Sequence, residues 1–376
     1  MNLFKASKQW STRPADERFW TLDEMHAATR SYADESRDIP MYLKDVTVTP
    51  VGDELTVVGR SGIPATLTNY AFGQLASLSS APAGYLRTLP PELAATCLNA
   101  SVKASVNRTD ERRMLVHSDE RLTARCVTST RYARVWNHEL CSSLLSLGTT
   151  WRNPPAWGVM VPTGVPTRRA TSQDVMPGTS IVQEGDVIAP SGLYASDRDM
   201  FAFLVNTKRV IEGSPRGLAI GFFAWNSEVG DSSLGVQTFA FDYVCGNHIV
   251  WGAKNVRETR IRHVGNARSR ARTIVDVAEL ADESASDFEA KIKAARSYEL
   301  GASPQEVVAA VVKAIDVSTR LATEAYAIAA SKEDDYGSPR AVWGMVSGLT
   351  QIARDLPHAD ARAKLDAEAG KLLDCF

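Results

Sequence analysis

Seven basic residues fall within the nineteen positions 254–272, KNVRETRIRHVGNARSRAR. Lys254, Arg257, Arg260, Arg262, Arg268, Arg270 and Arg272 stand against Glu258 alone, with His263 among them. A stripe of this density is the electrostatic footprint of phosphate contact. A solvated loop paired with acid from elsewhere in the chain has the same composition. The chain holds such acid: residues 273–376 contain 18 acidic and 11 basic side chains.

Aromatic residues lie close to this stripe. Phe222, Phe223, Trp225, Phe239, Phe241, Tyr243 and Trp251 fall in three apolar runs. Strand alternation sets Phe239, Phe241 and Tyr243 on one face, and Phe222 with Ala224 on another. If that surface is exposed, Trp225, Tyr243 and Trp251 stack bases of a single strand, at about 1–3 kcal/mol per base. If it is buried, the same rings are the core of a sheet. A second basic and aromatic stretch holds Arg121, Arg125, Arg131, Tyr132, Arg134 and Trp136. Arg131 and Arg134 are its candidates for ligand contact, against the plainer reading of solvated strand arginines.

Signs of catalysis are weak. The chain has no phosphate loop, dinucleotide fingerprint, nucleophile elbow or H-E-x-x-H. The segment WNSEVGDSS, residues 225–233, lacks the lysine and glycine spacing of a phosphate loop and reads as a hairpin turn. Among the acidic residues of the β region, Asp197-Arg198-Asp199 alone has the look of a metal site. With Glu228 these carboxylates make a metal-dependent nuclease the third-ranked reading. The six histidines stand at no ligand spacing with one another or with a cysteine, and neither Cys141 nor Cys245 has an obvious base. The expectation is therefore no catalytic residue, no metal and no cofactor.

The whole chain has 376 residues, 44% hydrophobic and 23% charged, with a net charge of −2. That is globular composition, and it excludes an overall polybasic nucleic-acid binder. The tail carries −7, which leaves +5 for residues 1–272. Five scattered cysteines, none at C-x-x-C spacing, argue against a disulfide framework or a zinc knuckle. The N-terminal twenty residues lack the apolar core of a signal peptide. Apolar runs such as 307–315 fall short of the ~20 residues of a membrane span. The expected setting is a reducing cytoplasm without membrane attachment.

The elements that position these residues can be read from local signals. Thr21-Leu22-Asp23-Glu24 is a capping box opening a helix to about Tyr32. Residues 45–59 alternate around Gly52-Asp53 as a hairpin. Helices are expected at 69–78, at 91–104 and from Asn137 to Leu147, and a hairpin around 117–120. Prolines break 151–196 into loop and edge-strand material. Strands follow at 200–205, 218–225, 235–244 and 249–252. After the basic run come a helix within 271–300, a long one capped by Ser303, another opened by Ser338-Pro339, and a last over 358–373. The fold class is α+β: a mixed α/β region over 1–150, an antiparallel β region over 151–265 ending in the basic run, and a helical region over 266–376. The three are expected to share one core, with the helices on one face of the central sheet.

Several segments resemble one family. RLTARCVTSTRYARVWNHEL resembles the Arg-x-Tyr-x-x-x-Asn-x-x-Leu segment of the phage/plasmid-like protein family, the domain of unknown function numbered 932. FAFDYVCGNHIVWG is similar to its strand ending in Cys-x-Asn, and GYLRTLPPELAATCLN to its N-terminal stretch. AVWGMVSGLTQIARDL and ARAKLDAEAGKLL resemble its C-terminal helix pair. The resemblance spans about residues 15–375. It implies a gene of phages, prophages or plasmids, acting in the host cytoplasm in DNA maintenance, replication or recombination. It brings no catalytic residue. The density of the basic run exceeds what the family's pattern requires.

The leading reading is a non-catalytic phage or plasmid DNA-metabolism protein. It would bind single-stranded nucleic acid, for annealing or protection, as a homo-oligomer. The alternative is an oligomeric assembly protein, or an inhibitor of host defence, that binds no nucleic acid.

Overall fold

The computed structural model describes residues 13–375, apart from 61, 107–108, 155, 158–160, 162, 176–181, 212–217, 243–247, 250–257, 267–273, 277–284 and 357–358. The fold is α+β, with two large sheets and a C-terminal helical layer.

The N-terminal sheet has six strands: β1 (Ser36–Tyr42), β2 (Thr47–Val51), β3 (Glu54–Val58), β4 (Pro64–Leu67), β5 (Glu111–Ser118) and β6 (Leu122–Ser129). Their order is β1-β5-β6-β4-β3-β2, antiparallel except where β4 meets β6. Helices α2 (Asn69–Leu78), α3 (Ala83–Leu86) and α4 (Pro91–Ala104) cover one face. There Phe72, Leu75, Leu98 and Val102 pack on Val48, Val57, Met114 and Ala124. Thr68 caps α2 and proline starts α4, so both begin where the sequence marks them.

This sheet has one irregularity between β5 and β6. The β5–β6 register runs Leu115 with Cys126, then Val116 with Ala124. Arg125 is the extra residue of a β-bulge. The strand's alternation is broken there. Ala124 and Val127 face the helices, while Cys126, with Leu115, packs on Val229 and the rings of Tyr70 and Trp136.

The central sheet is antiparallel. Its path is β11 (Leu193–Ala195), β12 (Met200–Ile211), β13 (Leu218–Asn226), β14 (Leu234–Asp242) and β15 (His248–Ile249). β7 (Trp151–Arg152) also pairs with β12, and β16 (Glu258–Ile261) with β14. Between β7 and β11 lies a small sheet of β8 (Ala156–Trp157), β10 (Val187–Ala189) and β9 (Arg168–Arg169). On one face of the central sheet Met200, Ala202, Leu204, Phe222 and Ala224 pack on α1 (Leu22–Asp34) and α5 (Asn137–Leu145). The Thr21 capping box that starts α1 forms as expected.

The opposite face carries Phe201, Phe203, Phe223 and Trp225, all buried, with stacked rings. A Cβ at Gly235 would lie 2.2 Å from the Trp225 indole, so glycine lets the ring lie across β14. Of the two readings of this aromatic surface, the buried one holds for Phe222, Phe223 and Trp225, which corrects Trp225 as a base-stacking candidate. Both faces of β13 are covered, and its rings are core.

Farther along the first face, Leu218 and Ile220 meet the C-terminal layer. It contains α6 (Ala285–Ser297), α7 (Pro304–Ala314), α8 (Thr319–Ser331), α9 (Glu333–Tyr336), α10 (Val342–Asp355) and α11 (Ala359–Leu372). Ser303 caps α7, but that helix ends at Ala314, and Ser318 caps a new one. Ser338-Pro339 lies ahead of its helix, which starts at Val342. A Cβ at Gly348 would lie 2.2 Å from the Ala325 carbonyl oxygen, so α8 and α10 touch through their backbones. Among the described residues no helix is long and apolar enough to cross a membrane.

Candidate nucleic-acid interface

The chain leaves β6 after Ser129 and turns toward the central sheet. Tyr132 forms an antiparallel bridge with Val264, and the Ala133 amide donates to the His263 carbonyl at 2.8 Å. Two basic segments more than 120 positions apart in sequence thus become neighbours. The Tyr132 hydroxyl donates to the Ser227 carbonyl at 2.8 Å, and its ring stacks on His263 at 5.0 Å. Burial pushes the Tyr132 phenol above its ordinary range. Burial also pulls the His263 imidazole down to about 4, although its bond to the Ala133 carbonyl acts the other way. At neutral pH His263 adds no charge to the stripe. It is a buried clamp.

Around this clamp Arg131, Arg260 and Arg262 are exposed. Strand alternation explains the last two. Ile261 points inward to the core beneath α1 and α5, so its neighbours point out. Among the described residues neither Arg131 nor Arg262 has an acidic partner. These three exposed arginines, on two bridged segments at the outer strand β16, are termed the ridge. Lys254, Arg257, Arg268, Arg270, Arg272, Tyr243 and Trp251 lie outside the described residues.

Two of the sequence candidates are not available to a ligand. Trp225 is 0% exposed, beneath β14, and cannot stack on a base. Arg134 is 7% exposed. It donates to Asp38 at 2.7 Å and to the carbonyl of Glu228, which joins the N-terminal sheet to the β13–β14 turn.

Arg134 belongs to an ionic junction beneath the ridge that the sequence did not reveal. The β6 bulge turns Arg125 into this junction, where it is 1% exposed. Its guanidinium donates to Glu228 at 2.8 Å and to the Asp197 carbonyl at 2.7 Å, and lies 4.4 Å from the centre of the Tyr32 ring. The other oxygen of Glu228 accepts the Asn137 amide at 2.8 Å, at the N-terminus of α5. Arg13 pairs with Asp199, which also accepts from Ser196. The carboxylates considered for metal catalysis are thus largely committed: Glu228 and Asp199 are buried against arginines. Among the described residues no cluster of three His, Cys, Asp or Glu side chains could hold a metal ion.

A cavity of about 400 Å³ adjoins the junction, lined by Glu17, Tyr32, Asn137, Asp197 and Glu228 among others. Burial pushes the Glu17 carboxyl up, against the pull of Arg13. Two of its carboxylates, Glu17 and Glu228, are paired with Arg13 and Arg125. Arg131, Arg260 and Arg262 are not among its lining residues.

Comparison with known proteins bears on the second half of the chain. Residues 179–361 match the family model "Domain of unknown function (DUF932)". The matched stretch includes β10 of the small sheet, the central sheet from β11 onward, the ridge arginines Arg260 and Arg262, and the helical layer into α11. The N-terminal sheet and Arg131 lie before it. No curated protein and no solved structure matches the chain.

Proposed function

We propose that this protein binds single-stranded nucleic acid along the ridge of Arg131, Arg260 and Arg262, without catalysis, in annealing or strand protection. The observation that carries this reading is the bridge between Tyr132 and Val264. It makes neighbours of two distant segments that each carry exposed arginines. The remaining arginines of the 254–272 run flank that point in sequence and extend the same charge. Phosphate contacts supply most of the affinity of such proteins. The resemblance to phage and plasmid proteins supports a role in DNA maintenance or recombination, as a homo-oligomer in a bacterial cytoplasm.

An assembly role, with the acidic tail docked on the basic run of a second copy, has less support. Some of the described tail carboxylates pair within their own layer: Asp374 with Lys291, Asp316 with Lys364, Glu299 with Arg340 and Glu368 with Lys371.

The test is binding of a labelled single strand of about 40 nucleotides and of the matching duplex, across a salt series. Each lost phosphate contact lowers the log–log salt slope by about 0.7 for single strands. The variant R131A/R260A/R262A is expected to lower it by about 2. A wild-type slope in that variant, or no binding by the parent protein at low salt, overturns the reading.

A further inference from the structure

A second cleft, of about 590 Å³, opens on the opposite side of the central sheet from the ridge. β7 and β16 lie at opposite ends of the run β7-β12-β13-β14-β16, four strand spacings or about 19 Å apart. The cleft's floor is apolar, formed by Leu144 and Leu204. Two half-buried tryptophans, Trp20 and Trp151, stand in its wall, and two exposed arginines, Arg152 and Arg168, stand at its rim.

The rim is arranged in advance. Arg168 is bound to both oxygens of Asp174 at 2.6 Å, and its guanidinium lies 4.3 Å from the centre of the Trp20 ring. Its charge is spent on that pair. Arg152 differs. Its donors go to the carbonyls of Thr149, at 3.4 Å, and Gln173, at 3.2 Å, and among the described residues it has no acidic partner. Neutral carbonyls hold this guanidinium without cancelling its charge, so the rim keeps a fixed cation. Trp151 is braced by Phe222, ring centres 4.9 Å apart.

An apolar floor, aromatic walls and one uncompensated arginine select a flat aromatic ligand with an anionic group. An organic cation would be repelled by Arg152. Asp23, exposed at the same rim, disfavours a polyphosphate. We infer that this cleft binds a nucleobase together with a single phosphate: a nucleoside monophosphate, free or as one unit of a strand. The site shares no residue with the ridge and does not depend on it.

The experiment is calorimetric titration of the full chain with adenosine 5′-monophosphate, adenosine and inorganic phosphate. The monophosphate is expected to bind saturably, adenosine about tenfold more weakly, and phosphate alone not measurably. R152A is expected to weaken the monophosphate by about tenfold and leave adenosine unchanged, with its melting temperature held, because Arg152 is exposed. W151F, which keeps a ring on Phe222, is expected to weaken both ligands. A single-stranded trinucleotide that displaces the monophosphate identifies a strand as the source, and failure to displace identifies the free nucleotide. No binding of the monophosphate or the trinucleotide, or unchanged affinity in R152A, overturns the inference. The ridge variant R131A/R260A/R262A retains monophosphate binding here, so loss of strand affinity in that variant is a separate result.

Discussion

Arg131 and Arg134 stand three positions apart in one turn, yet the fold uses them oppositely. Arg134 is buried between Asp38 and the Glu228 carbonyl, where it ties two sheets together. Arg131 is exposed, and its charge faces solvent. The same contrast separates Arg125, sealed against Glu228, from Arg262. A buried guanidinium must be paired, because removing its partner strands a charge in low dielectric. An exposed one costs nothing to leave unpaired and stays available to an anion. Residue type is shared across these positions, and burial decides the role.

The largest effect should come from breaking the buried side of this contrast. Glu228→Ala leaves Arg125 unpaired and is expected to cost about 3–5 kcal/mol in denaturant unfolding. That is a large share of the ~5–15 kcal/mol of a typical domain. Arg125→Met with Glu228→Leu removes both charges and is expected to recover most of the loss. If the double variant is no better than the single, the junction is not an ion pair in the energetic sense.

Next in size is a pH effect at the clamp. The His263 imidazole titrates near 4 when folded, against 6.5 as the ordinary value. Between those values the unfolded chain binds the extra proton, so stability rises with pH there. The contribution is complete above about pH 6.5, is lost progressively toward pH 4, and amounts to about 3 kcal/mol at most. H263Q is expected to flatten that part of the stability–pH curve. An unchanged curve would mean that His263 is solvated.

Tyr132→Phe removes the bond to the Ser227 carbonyl and is expected to cost about 1 kcal/mol. The smallest stability change belongs to the exposed side. R131A/R260A/R262A is expected to stay within about 0.5 kcal/mol of the parent per substitution while losing strand affinity. A large stability loss in that variant would erase the distinction between ridge and junction.

Local signals were readable where one residue's backbone chemistry decides an element. Thr21, Thr68 and Ser303 start helices because their side chains satisfy first-turn amides, and Pro91 because its ring suits that position. The break at Ile315 was missed because the apolar pattern continues through it into α8. Arg125 was misplaced for another reason. A two-residue alternation has no mark for a bulge, which exists only through the pairing of β6 with β5. Trp225 was open to reading as platform or as core, because composition does not say which face of a strand is covered.

The amino-acid order by itself determined the α+β class, most helix starts and the concentration of charge at 254–272, because these depend on neighbours along the chain. The tertiary structure decided which arginines are paired and which face solvent. It also brought the segment of Arg131 beside that of Arg262, and set Trp20, Trp151 and Arg152 around one cleft. These juxtapositions join residues more than 100 positions apart, and they follow from strand pairing and from the free energy of burying charge, neither of which any single segment carries.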